Sequence, residues 1–144
     1  MSRSIRPLSP FKGYYLQKPP TLAAGAIPLL THDVRQAATV FYNTTSCAIV
    51  AKSETSCNLY GLQINAAGGS SYGECTFVDD QGAPPKASLN RNTGKVDYDD
   101  EFFGSWLACM SLLGTVELKF WQSAGLSDID TTRCSKVDMI AQNL

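Results

Sequence analysis

The sequence predicts an all-β protein: an antiparallel β-sandwich or small β-barrel, stapled by disulfides, with at most one short helix. Three observations predict it. Short segments rich in β-branched and aromatic residues recur along the chain, and the clearest alternate apolar and polar side chains at the two-residue period of a strand. Clusters of Gly, Pro, Asn and Ser separate these segments, so strands follow one another through turns rather than alternating with helices. Five cysteines, at 47, 57, 75, 109 and 134, are widely spaced and form no C-x-x-C pair, a pattern suited to disulfide partners. A length of 144 residues suits one domain, 1–144.

Taken in order, residues 1–33 form a Pro-rich basic segment, with four Lys/Arg and no acid before Asp33, expected to pack on or flank the β core. Within it "FKGYYLQK" alternates loosely, and Pro19-Pro20 ends any strand there. The one possible helix is "THDVRQAATVFY", with Thr31 as its N-cap. "TVFYNTTSCAIVA" is rich in strand-forming residues, and "NLYGLQINA" sets Tyr60, Leu62 and Ile64 in step before "GGSS" closes it. "ECTFVDD" reads as a short strand ended by the turn formers "QGAPP". "RNTGKVDYDDEFFGSWLACM" reads as a strand, an acidic bend and a strand. "TVELKFW" alternates cleanly, with Val116, Leu118 and Phe120 on one face and Glu117, Lys119 and Trp121 on the other. "RCSKVDMIA" reads as one final short strand.

Composition excludes several roles. A formal net charge of −1 offers no basic stripe for nucleic acid, and no apolar run reaches the roughly twenty residues needed to span a membrane. Pro19, Pro20 and Pro28 interrupt the only apolar stretch that could serve as a signal peptide. Two explanations stand: Met1 precedes a mature chain whose signal has been removed, or the protein stays inside the cell. The cysteines favour secretion and an oxidising compartment, as does "NTT" at Asn43, the sole glycosylation acceptor triplet.

Little in the sequence names a reaction. His32 is the only histidine and has no nucleophile beside it, so neither a catalytic triad nor a histidine metal site is expected. "VDYDDE" places Asp97 and Asp99 on one face of an extended chain, but without the ligand pattern of a calcium loop it reads as a solvated bend. "GGSSYG" lacks the lysine of a phosphate loop and reads as a turn. No cofactor is expected. The aromatic residues remain. Residues 101–122 hold both tryptophans and three of the six phenylalanines. Trp106, between Gly104 and Cys109, is expected in the core near a disulfide. Trp121 lies opposite the Val116/Leu118/Phe120 face. It either points outward, forming with Tyr98, Tyr72 and Tyr60 a stacking platform for a sugar or other small molecule, or is buried beneath a covered second face.

"INAAGGSSYGECTF", "TGKVDYDDEFFGSWLAC", "ELKFW" and the closing "CSKVDM" together resemble small secreted fungal proteins of a domain-of-unknown-function family. The shared elements are a Gly-Trp-Leu-x-Cys-like motif at Gly104–Cys109, an aromatic strand at Leu118–Trp121 and a Cys-Ser-x-Val-Asp ending at Cys134–Asp138. The resemblance implies secretion and a Cys109–Cys134 disulfide, and it supplies no substrate or catalytic residue. One further pair is expected among Cys47, Cys57 and Cys75. The chain departs from the family pattern in "MSLLGTVEL" and in carrying those three cysteines. The expected function is therefore non-enzymatic: an effector- or antigen-type protein that binds a small molecule, a carbohydrate or a host surface. The alternative is a β-barrel cyclase or isomerase that acts on a hydrophobic metabolite without metal or cofactor.

Overall fold

A computed structural model describes residues 4–7, 13–17, 26–52, 59–65, 72–79, 84–122 and 133–142. In chain order the strands are β1 (Ser4–Pro7), β2 (Tyr15–Leu16), β3 (Leu29–Thr31), β4 (Val40–Asn43), β5 (Ala48–Lys52), β6 (Leu59–Asn65) and β7 (Tyr72–Asp79). They continue with β8 (Ala87–Leu89), β9 (Lys95–Tyr98), β10 (Phe103–Met110), β11 (Val116–Gln122), β12 (Cys134–Val137) and β13 (Met139–Gln142). The larger sheet runs β12-β10-β11-β7-β6-β5-β4, with β3 added to β11 and β2 to β3. The smaller runs β1-β13-β9-β8, and every pairing is antiparallel. The sheets remain open, so the protein is all-β without a closed barrel. Among the described residues no helix is long and apolar enough to cross a membrane.

The alternation in β11 shows how side chains sort between the faces. Val116, Leu118, Phe120 and Gln122 are buried, while Glu117, Lys119 and Trp121 are half-buried on the other side. The inner set joins Trp106 and Ala108 of β10, Leu62 of β6 and Phe77 of β7. Opposite them the smaller sheet contributes Ala87, Val96, Tyr98 and Met139, so one core fills the space between the sheets. Segment 26–31 is built into that core: Phe77 N donates to Ala26 O at 2.9 Å and Leu118 N to Pro28 O at 2.9 Å, while Leu30 is buried.

Close packing leaves no room for a side chain at Gly73, which lies opposite Phe120 in the β7–β11 register. A Cβ there would stand 2.5 Å from Cε1 and Cζ of that ring, far inside van der Waals contact. Gly73→Ala is expected to cost about 1–3 kcal/mol as the core shifts to admit it, read as a lower urea midpoint. An unchanged midpoint would show that the ring moves freely.

Several expectations are corrected. The possible helix is a single 3-10 turn, Val34–Gln36, capped by Asp33, whose Oδ1 accepts from Arg35 N; Thr31 instead accepts from Asp33 N. Ala37 and Ala38 are buried immediately afterwards, so the apolar run passes to extended chain before a second helical turn forms. "TVFYNTTSCAIVA" is a hairpin of β4 and β5. Asn43 Oδ1 bridges its turn by accepting from Thr45 N at 3.0 Å and Ser46 N at 3.3 Å, and Cys47 adopts φ +50°. "RCSKVDMIA" is two strands, not one. They part at Asp138, with β12 in the larger sheet and β13 in the smaller. Cys109 and Cys134 are bonded at 2.04 Å, but Cys47 and Cys75 are free thiols, so no second bridge joins them. Cys57 and residues 66–71 of the Gly-rich turn lie outside the described residues.

Candidate functional site

The polar register of β11 directs Glu117, Lys119 and Trp121 to the outer face of the larger sheet, and pairing brings partners from both sides into three rows. Cys134, Cys109 and Glu117 form one row; Lys136, Leu107, Lys119, Glu74 and Asn65 a second; and Ser105, Trp121 and Tyr72 a third. The disulfide therefore joins two residues directly opposite each other on β10 and β12. With Leu107 it forms a small buried cluster against which Trp121 packs. Trp106 occupies the other face of β10, which corrects the expectation that it neighbours the bridge. It is 2% exposed, its ring lies 4.8 Å from Phe103, and its Nε1 donates to Val96 O at 2.8 Å. The bridge's aromatic neighbour is Trp121.

The setting of Trp121 is shaped by a bulge. Register shifts between Phe103 and Ser105, so Gly104 is the extra residue opposite this stretch of β11. The indole covers it so closely that a Cβ on Gly104 would stand 2.5 Å from Cε3. Lys136 on β12 places its Nζ 4.0 Å from the indole centroid, close enough for cation–π attraction. Among the described residues, Trp121 Nε1 and Ser105 Oγ are buried without hydrogen-bond partners. Because no described residue accepts from that indole N–H, Trp121→Phe is expected to change stability by about 1 kcal/mol or less. Calorimetry checks this, and a much larger loss would reveal an acceptor for the N–H.

Beside this row, Lys119 Nζ meets Glu74 at 3.3 Å and Glu117 at 3.4 Å and lies 5.7 Å from the exposed Tyr72 ring. A groove of about 410 Å³ runs over the same face, with Cys109 and Cys134 among its lining residues. Met110, Leu112, Leu113, Tyr72 and Arg133 also line it, together with Ser111, Glu117 and Lys119. Leu112 and Leu113, in the β10–β11 turn, are 82% and 92% exposed. Apolar side chains so open to water mark a contact surface when they adjoin a groove.

The structure thus brings together two of the four expected aromatic residues, Trp121 and Tyr72, as cross-strand partners. Tyr60 and Tyr98 are buried in the core between the sheets, Tyr98 with its ring 6.3 Å from Trp106, and offer a ligand no open face. Sequence reasoning missed Leu112, Leu113, Arg133 and Lys136. Ser and Gly flanking the leucines were the available sign of an exposed turn.

The remaining candidates lie apart. His32 is exposed, its ring 5.4 Å from Tyr14. Asn43 is half-buried at the β4–β5 turn. In the acidic bend Asp100 meets Lys86 Nζ at 2.6 Å, which holds its carboxyl below the usual carboxylate range. Burial pushes the Cys75 thiol well up, leaving little reactive thiolate. The chain matches, over residues 2–143, the family described as "Domain of unknown function (DUF7907)". No curated protein and no solved structure matches it.

Proposed function

The chain belongs to this family of unknown function, and from that premise we propose that it is a non-enzymatic fungal protein of effector or antigen type, secreted and active by binding. The observation that carries this reading is a groove above a disulfide on the larger sheet, bordered by exposed Tyr72 on the outer face and by exposed Met110, Leu112 and Leu113 at the end of β10 and in the turn beyond it. Exposed apolar side chains gathered beside a groove suit a contact surface, and a persistent disulfide suits an oxidising compartment. Fungal origin and secretion rest on the motifs around Gly104–Cys109 and Cys134–Asp138. On this reading Asn43 carries a glycan.

The cyclase or isomerase alternative needed a closed barrel with an aromatic-lined interior. The sheets are open, and Tyr60, Tyr98, Trp106, Phe77 and Phe120 fill the space between them. Binding at the outer face requires no such interior.

The test compares wild-type protein with a Tyr72→Ser, Leu112→Ser, Leu113→Ser variant on intact fungal, plant and animal cells. Wild type is expected to bind one of these surfaces, and the variant to lose about tenfold or more in affinity at an unchanged melting temperature. Equal binding by both proteins would dismiss the outer face as the functional surface.

A further inference from the structure

We infer that the groove between the β10–β11 turn and the start of β12 takes an amphiphilic anion, its apolar chain against Met110, Leu112, Leu113 and Tyr72 and its acid head on Arg133. This inference deepens the binding role proposed above and rests on it.

Size and rigidity come first. About 410 Å³ falls within the range of roughly 300–1,000 Å³ typical of small-molecule pockets. The turn that forms one wall is held from within: Ser111 N donates to Thr115 O at 2.7 Å, Gly114 N donates to Ser111 O at 3.1 Å, and the Ser111 and Thr115 hydroxyls lie 2.7 Å apart. Gly114 supplies the φ of +84° that closes it. Leu112 and Leu113 are thus held in water by a fixed turn, and a ligand that covers them gains apolar burial without first ordering the wall.

Charge selects the head group. Glu117 is paired to Lys119, which also meets Glu74. Arg133 is the one charged residue of the groove lining without an ionic partner among the described residues. Its backbone is fixed beside the groove, since Arg133 O accepts from Met110 N at 2.8 Å immediately before the disulfide-bonded Cys134. A guanidinium beside apolar side chains suits an oxyanion attached to a hydrocarbon, because it can donate two parallel hydrogen bonds to a carboxylate. A cation of the same length would meet Arg133 with like charge and find Glu117 already engaged.

Decanoate, kept below its micellar concentration, is the probe, followed by the methyl resonances of Met110, Leu112 and Leu113. Saturable shifts at these methyls are expected, with decyltrimethylammonium about tenfold or more weaker. Arg133→Gln should weaken decanoate by about tenfold and erase its preference over the cation, with the melting temperature unchanged. Leu112→Ser with Leu113→Ser should weaken both ligands. Three results would overturn the inference: no saturable shift, an Arg133→Gln protein that binds decanoate as wild type does, or binding to phosphatidylglycerol vesicles without binding to monomeric decanoate. If decanoate fails while the Tyr72/Leu112/Leu113 variant still loses cell binding, only the ligand assignment falls. If that variant binds cells as wild type does, the outer-face reading falls whatever decanoate does.

Discussion

Replacing Trp106 with alanine should cost about 3–5 kcal/mol, a large part of the stability available to a domain of this size. Trp106 projects from β10 into the core and is nearly inaccessible to solvent. Its ring is packed edge-on against Phe103 at 4.8 Å and Tyr98 at 6.3 Å. Its Nε1 donates to the carbonyl of Val96 on β9, so the side chain ties the larger sheet to the smaller by a polar bond as well as by contact. Truncation leaves a cavity in the shared core and removes the side-chain bond to Val96. Trp106→Phe separates the two effects, because much of the ring volume remains while the hydrogen bond is lost. That change should cost about 1–3 kcal/mol. Urea unfolding of both variants beside Trp121→Phe provides the scale. A Trp106→Ala shift no larger than that of Trp121→Phe would mean that Trp106 does not hold the sheets together.

The second large effect is expected from the disulfide. Cys109 and Cys134 are separated by 25 positions, and closing a loop of that length should stabilise by about 3 kcal/mol in the chain-entropy model. Both cysteines should be changed to alanine together, so that no lone thiol confuses the result. Among the described strands β12 lies at the edge of the larger sheet and pairs only with β10, so its amides should lose exchange protection first. The Ala/Ala protein should unfold at a clearly lower temperature than oxidised wild type and match wild type treated with reductant. Identical melting of all three would show that strand pairing alone secures β12.

What the sequence disclosed depended on whether a segment has one wet face. β11 does, and the alternation from Val116 to Trp121 identified the strand and the sides on which Trp121 and Phe120 fall. The segment 40–52 has no such contrast. Ala48 to Ala51 are all buried, and a turn held by the Asn43 side chain carries neither Gly nor Pro, so the sequence showed strand-forming residues without locating the turn between two strands. The break at Asp138 was hidden for a related reason. Val137 and Met139 keep a two-residue period while facing one core from different sheets, so local alternation continues across the change of sheet. β8 was missed because "ASL" carries no strand signal; its pairing with β9 makes it one.

The site was legible to the same degree. Alternation separated Trp121 from the core face, and only pairing could place Tyr72 opposite it while sending Tyr60 and Tyr98 inward. The lone arginine before Cys134 acquires meaning only from the distant turn beside which it lies. Sequence proximity could not supply that neighbour.

The passage of the chain from one sheet to the other at Asp138 has a mechanical consequence. A pull on the carboxyl end loads β13 first, and the small sheet can release it by parting its bonds to β1 and β9. Peeling can then advance through β12 only as far as Cys134, where a covalent link to β10 takes the load. In a single-molecule extension trace, the 25-position span closed by that link contributes no length until a reductant is added. The bridge acts as a stop on an unravelling thread, and once β13 and β12 have parted it carries the tension to β10.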